Sequence, residues 1–284
     1  MIRFGPSGND EKFYADGNKS SVDAPRWLAG LELSAYEISF GLGIRMTDKT
    51  AQIIGEQAKK YGIQISVHAP YYINLANPDP VAIEKSYHYI KRSLEILHIM
   101  GGERLVVHIG SQMELERNIA LQNCRKNLEI VIQRLDKDGI NNFLLCIETM
   151  GKYRQIGNVD EICDLCSVDE RVIPTFDFGH INCLMQGQMN VPEIFEIAER
   201  KLGLEKLKKL HLHLSYIRFG QKGEIEHTTL ADDEWGFEID PILNEIIRRD
   251  LSPTIICESA NIMAQDAVKI MQKYKKIVWK KIDN

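Results

Sequence analysis

Short apolar runs recur along the chain, and each is followed by a stretch of helical periodicity. The runs are Ile2–Phe4, Ala35–Phe40, Ile63–Val67, Arg104–Val107, Phe143–Ile147, Val172–Phe176, Leu210–Leu214 and Thr254–Cys257. Their β-branched and apolar content reads as buried strands. Between them, Thr47-Asp48 caps a helix running to Tyr61, and Asp79-Pro80 opens one that continues to Met100. Further helices are expected over Glu114–Leu135, Val159–Cys166, Pro192–Leu202, Asp240–Arg249 and Ala264–Lys273, with Gly101-Gly102 and Gly139 as helix stops. Strand and helix alternating eight times predicts a closed parallel barrel, a single (β/α)8 TIM barrel spanning residues 1–284. A doubly wound open sheet would carry a glycine-rich phosphate loop after its first strand, and Gly5-Pro6-Ser7-Gly8 does not match one. No linker, repeat or low-complexity tract divides the chain. The Lys-rich stretch Lys273–Lys281 reads as a solvated helix end.

The 44% hydrophobic share supplies a sizeable core, yet no apolar run reaches the ~18 residues of a membrane helix. Met1-Ile2-Arg3-Phe4-Gly5 reads as a strand and not as a signal peptide, so a cytoplasmic protein is expected. The net charge of −5 removes an overall basic field for nucleic acid, although metal ions in a cleft would invert the local potential. The cysteines are widely spread, and the lone CxxC at Cys163 and Cys166 reads as buried thiols in a helix, not as a zinc knuckle.

The C-terminal strand ends of such a barrel build its active site. Strand ends here carry His68 in Ser66-Val67-His68, His108 in Val107-His108-Ile109, Glu148-Thr149, Asp177-Phe178-Gly179-His180, His211-Leu212-His213 and Glu258-Ser259, with His227 in the loop beyond His213. Each has an ordinary reading: a hydrogen-bonded core histidine, a salt-bridged Glu148, or Asp177 capping the helix near His180. Their joint presence on six successive strands favours a metal cluster, because several carboxylates converging in one cleft repel each other without cations between them. Imidazole with carboxylate suits zinc, manganese or iron(II). His211, two residues before His213, lies one layer deeper in the barrel and reads as structural.

His68-Ala69-Pro70-Tyr71-Tyr72-Ile73-Asn74-Leu75, the step to His108-Ile109-Gly110-Ser111, and the Glu148, Asp177/His180, His213 and Glu258 segments together resemble the endonuclease IV family of apurinic/apyrimidinic endonucleases, within the xylose isomerase-like TIM barrels. The resemblance covers nearly the whole chain. It implies a zinc-dependent phosphodiesterase with up to three ions, manganese being a compatible substitute, that incises DNA at abasic sites. His68 and His108 would hold one ion. Glu148 would bridge it to a second, completed by Asp177, His213 and Glu258. His180 and His227 would hold a third. Glu148 and Glu258 would serve as the catalytic carboxylates. Arg45 matches an arginine that the family inserts into DNA, and Tyr71 an aromatic that fills the gap left by the flipped nucleotide. The family resemblance also implies a monomer.

The chain departs from the family in three places. Ile225 stands where the family has Asp two residues before the loop histidine, leaving Glu224 or Glu226 as substitutes. Gly179 and Ser215-Tyr216 replace the family's Cys and Asn-Asp. Asp232, Asp233 and Glu234 would repel phosphate unless they face away. The competing reading is a sugar isomerase or epimerase, for which Glu148, Asp177, His213 and Glu258 on one metal suffice. The extra histidines His68, His108 and His227 favour the multi-metal phosphodiesterase. A third reading is a non-catalytic barrel whose metals are fully coordinated by protein.

Overall fold

The computed structural model describes residues 1–282. The apolar runs form parallel strands β1 (Arg3–Pro6), β2 (Ala35–Ser39), β3 (Gln64–His68), β4 (Arg104–Val107), β5 (Leu144–Glu148), β6 (Val172–Asp177), β7 (His211–Leu214) and β10 (Thr254–Cys257). They pair in the order β1-β10-β7-β6-β5-β4-β3-β2. The two end strands meet where Ser34 N–H donates to the Phe4 carbonyl and Gly8 N–H to the Glu37 carbonyl, both at 2.9 Å. This is the barrel expected from the alternation. The hairpin of β8 (Ile217–Gly220) and β9 (Gly223–His227) stands apart from it, in the connection after β7.

The surrounding helices are α1 (Glu11–Ala15), α2 (Ala24–Gly30), α3 (Asp48–Tyr61), α4 (Pro80–Ile99), α5 (Arg117–Lys137), α6 (Val159–Cys166), α7 (Phe178–Leu184), α8 (Val191–Leu202), α9 (Leu204–Leu207), α10 (Asp240–Arg248) and α11 (Met263–Ile282). Their starts follow local chemistry. Thr47 accepts from the Thr50 N–H and Asp79 from the Val81 N–H. Asn158 and Glu161 form a reciprocal capping box at α6. The helix expected from Glu114 begins later, at Arg117, because Gln112–Leu115 closes a turn (Leu115 N–H to the Gln112 carbonyl, 2.9 Å) with Met113 at φ 54°. The pattern does not predict helices α1, α2, α7 and α9 or the hairpin; each is too short for a period to declare itself.

Side-chain alternation decides what fills the barrel. Val106, Cys146 and Ile173 make a small apolar layer inside it. Toward the C-terminal ends, the next inward positions are polar and almost fully buried: Glu37, Ser66, His211, then His68, Glu148, Asp177 and His213. The larger apolar core lies between the strands and the helices. The barrel therefore concentrates its ionisable groups at one end of its axis, on strands that are held rigidly from outside.

Candidate metal centre

Glu148, the last residue of β5, is the hub. Its Oε2 lies 3.1 Å from Nε2 of His68 and 3.1 Å from Nε2 of His108. Its Oε1 faces the opposite way, 3.2 Å from Nδ1 of His180 and 3.4 Å from Nδ1 of His213. The His68 ring is oriented by its Nδ1, 3.0 Å from the Ala69 carbonyl. Asp177 ends β6 and caps α7, accepting from the His180 N–H at 2.8 Å through Oδ1. Its Oδ2 is left pointing at the cluster, 3.9 Å from His213 Nδ1. Glu258, just past β10, brings Oε2 within 3.4 Å of the same nitrogen. Ligand-capable atoms converge in three groups at this mouth: His68, His108, Glu148; Glu148, Asp177, His213, Glu258; and His180, Glu224, His227, each within 4.8 Å internally.

The third group answers the departure at Ile225. In a regular strand, Glu224 and His227 would point to opposite faces. The β8–β9 ladder slips between Arg218 and Phe219, pairing Arg218 with Glu226 and Phe219 with Glu224, so that Ile225 is the unpaired extra residue. This bulge turns Glu224 onto the His227 face, with Oε2 3.5 Å from His180 Nε2. Ile225 itself is 54% exposed. Glu226, the other candidate, points away and pairs with Arg218 at 2.8 Å, so the structure does not bring it to the site. The remaining departures fit the same geometry. Ser215 Oγ lies 3.0 Å from His227 Nδ1. A Cβ on Gly179 would come within 2.7 Å of the Ser215 carbonyl, so the close passage of that segment requires glycine.

The electrostatics fit cations. Glu148 Oε1, Asp177 Oδ2 and His213 Nδ1 are buried without a hydrogen-bond partner, all aimed into one space. Burial, then the neighbouring Glu148 and Glu258 charges, push Asp177 up to about 6 against the pull of His180 and His213. Burial opposes ionisation of Glu224, but the His180 bond and charge outweigh it and bring the carboxyl down to about 2. Burial likewise disfavours charge on His68, yet Glu148 wins and raises it to about 8. The protein without metal thus holds protons where divalent ions would supply the same positive charge. Each group mixes imidazole with carboxylate, a donor set suited to zinc or manganese.

Above the cluster opens a cavity of about 620 Å³. Tyr71 stands in it, stacked on His108 (centroids 5.2 Å apart, planes at 29°) and half exposed. Ser7, Ser39, Met150, Lys152, Gln155 and Met263 line it as well, and sequence reasoning missed them. Arg45 is exposed on the β2–α3 loop in a neighbouring depression that shares Ser39 with the main cavity; it does not reach the cluster. Asp232 spends its carboxylate on the N–H groups of Glu234 and Trp235, and none of Asp232, Asp233 and Glu234 lines the cavity. His211 lies beneath, as expected, 3.0 Å from Glu37. Sequence reasoning missed Glu37 too. Its signal was the polar alternation of Glu37 and Ser39 in β2, the same period that placed His211 under His213.

A model of the xylose isomerase-like TIM barrels matches residues 25–275. The chain belongs to that family. Within it, the chain is a divergent member of the endonuclease IV branch. It is 32% identical over 242 residues to a probable endonuclease 4 of Mycoplasma pneumoniae, covering 78% of this chain and 82% of that one. An uncharacterised protein of Methanocaldococcus jannaschii is 32% identical over 283 residues, 98% of each. Among solved structures of the family's fold, a D-tagatose 3-epimerase-like protein superposes with a TM-score of 0.75 at 21% identity, covering 99% of this chain and 100% of that one. Endonuclease IV from Thermus thermophilus superposes at 0.70 and 17%, covering 98% and 99%. At these identities the superpositions report the shared barrel alone. Among the described residues no helix is long and apolar enough to cross a membrane.

Proposed function

We propose that this member of the family is a zinc-dependent phosphodiesterase that incises DNA at abasic sites. The observation that carries the reading is the number of donor groups: three converge at the mouth and two share Glu148, whereas a one-metal sugar epimerase needs only Glu148, Asp177, His213 and Glu258. Zinc or manganese held there would supply Lewis-acid polarisation, an acidified water and neutralisation of phosphate charge. The chain's own part is positional. Glu148 fixes the spacing of the first two groups through its opposed oxygens. The hairpin presents Glu224 and His227 as a third wall across from His180. Tyr71 offers a ring face at the mouth to a displaced base or sugar, and exposed Arg45 a cation for the phosphodiester backbone.

The test is a duplex oligonucleotide with one abasic site, incubated with zinc- or manganese-loaded protein at low salt, beside a lesion-free duplex and a chelated control. Metal-dependent cleavage confined to the abasic position supports the proposal. Metal-loaded protein that leaves this duplex intact while interconverting ketoses would establish the epimerase reading instead.

A further inference from the structure

We propose that Glu37 is a positioning residue, which holds the His213 ring from below so that Nδ1 and its lone pair, not Nε2, face the metal centre. The inference rests on the metal reading above but on neither of its substrates.

Glu37 sits inside the barrel with no exposure. An ionised carboxylate buried so deeply is costly unless it is surrounded by donors. Here Ser66, its register partner on β3, donates from Oγ to Oε2 at 2.7 Å. His211 Nε2 lies 3.0 Å from the same oxygen. Oε1 is left for one neighbour, Nε2 of His213, at 3.0 Å, a charge contact whose alignment falls short of a hydrogen bond. The other nitrogen of that ring faces Glu148, Asp177 and Glu258 at 3.4 to 3.9 Å. A neutral imidazole has a single N–H. The charge of the closer carboxylate favours the N–H at Nε2, and divalent ions among the three carboxylates on the other side favour the lone pair at Nδ1. The His211 and Ser66 contacts fix the Glu37 carboxylate in turn. The apolar layer of Val106, Cys146 and Ile173 shows that the barrel interior can be filled without charge.

Zinc affinity of the intact protein is measured by chelator competition, alongside the Glu37→Gln variant, with circular dichroism to confirm folding. A neutral amide has one acceptor for three donors, so zinc binding should weaken roughly 10- to 100-fold, as for other groups that orient a ligating histidine. In the zinc-loaded parent, nitrogen-15 NMR of the histidines should show His213 protonated at Nε2. Folded Glu37→Gln with affinity within twofold of the parent, or a parent proton on Nδ1, overturns the proposal while leaving the metal reading standing. A parent that binds no divalent ion overturns both. Should Glu37→Gln not fold, Ser66→Ala carries the test: a roughly 2- to 10-fold loss, the worth of one hydrogen bond, supports the proposal, and unchanged affinity removes it.

Discussion

Gly151→Ala isolates the third donor group. Gly151 follows β5 and passes directly beneath the hairpin: its carbonyl accepts the Glu224 N–H at 2.9 Å. Its φ is not in the left-handed region, so alanine is admissible for the backbone. The side chain is what does not fit. A Cβ there lies 2.7 Å from His180 Cδ2 and 2.9 Å from Glu224 Cβ, against the ~3.5–4.0 Å of relaxed carbon contacts. The two ligand-bearing side chains must therefore part by several tenths of an ångström each. Metal–ligand distances tolerate about 0.2 Å, so His180, Glu224 and His227 should no longer close on one ion, while the groups built on His68, His108, Asp177, His213 and Glu258 stay untouched. Overpacking of this kind costs about 1–3 kcal/mol, which for a chain of this size lowers Tm by about 2–5 °C. Zinc counted by atomic emission after gel filtration should fall by one ion per chain, and abasic-site cleavage should fall with it. A variant with the parental zinc count and parental cleavage would refute the idea that Gly151 keeps the space in which this group assembles.

Glu148→Gln removes the charge that faces two groups at once; zinc content and turnover should fall together by more than about 100-fold, and full metal with full turnover would dismantle the cluster. Arg45→Ala should weaken binding of an abasic duplex and reduce its log–log salt slope by about 0.9 in a fluorescence titration, and an unchanged slope would remove Arg45 from the interface. The His68–Glu148 pair gives a pH signature. With the folded His68 raised from 6.5 to about 8, its stabilisation of the metal-free protein is complete below 6.5 and lost as pH rises through about 8. Zinc must displace that proton, so zinc affinity should instead climb about tenfold per pH unit up to about 8 and then level; isothermal titration in buffers of different ionisation enthalpy reads the released proton directly.

The barrel was legible because its strands are buried on both sides and announce themselves as apolar runs, and because their C-terminal ends are where a (β/α)8 fold must put its chemistry. His68, His108, Glu148, Asp177, His213 and Glu258 could be placed by counting to the end of each run. What was not legible depended on irregularity. The bulge at Ile225 defeats period-2 reasoning, so choosing Glu224 over Glu226 needed the ladder itself. Short helices such as α7 carry too few turns for periodicity. Glu37 was hidden by its neighbours: between Tyr36 and Ile38 it reads as one polar residue in a buried strand, and its partners His211 and His213 come from β7, beyond β1 and β10 in the ring, 174 residues away in the first case.

Rigid and adjustable parts divide the site. The central group of Glu148, Asp177, His213 and Glu258 stands on adjacent β5, β6, β7 and β10, parallel strands locked by register, and a barrel could use it equally for a proton transfer in a sugar or for a phosphodiester. The hairpin is different. It is anchored at Gly151 and by the Lys152–Gly223 bridge, outside the barrel sheet. The bulge at Ile225 brings the Glu224 carboxylate to the His227 face without involving any barrel strand. Selection between the two chemistries can then act on the loop while the centre below is preserved. That is why a departure in the loop sequence need not be a departure in function, and why counting metals in the hairpin variants is more informative than comparing whole barrels.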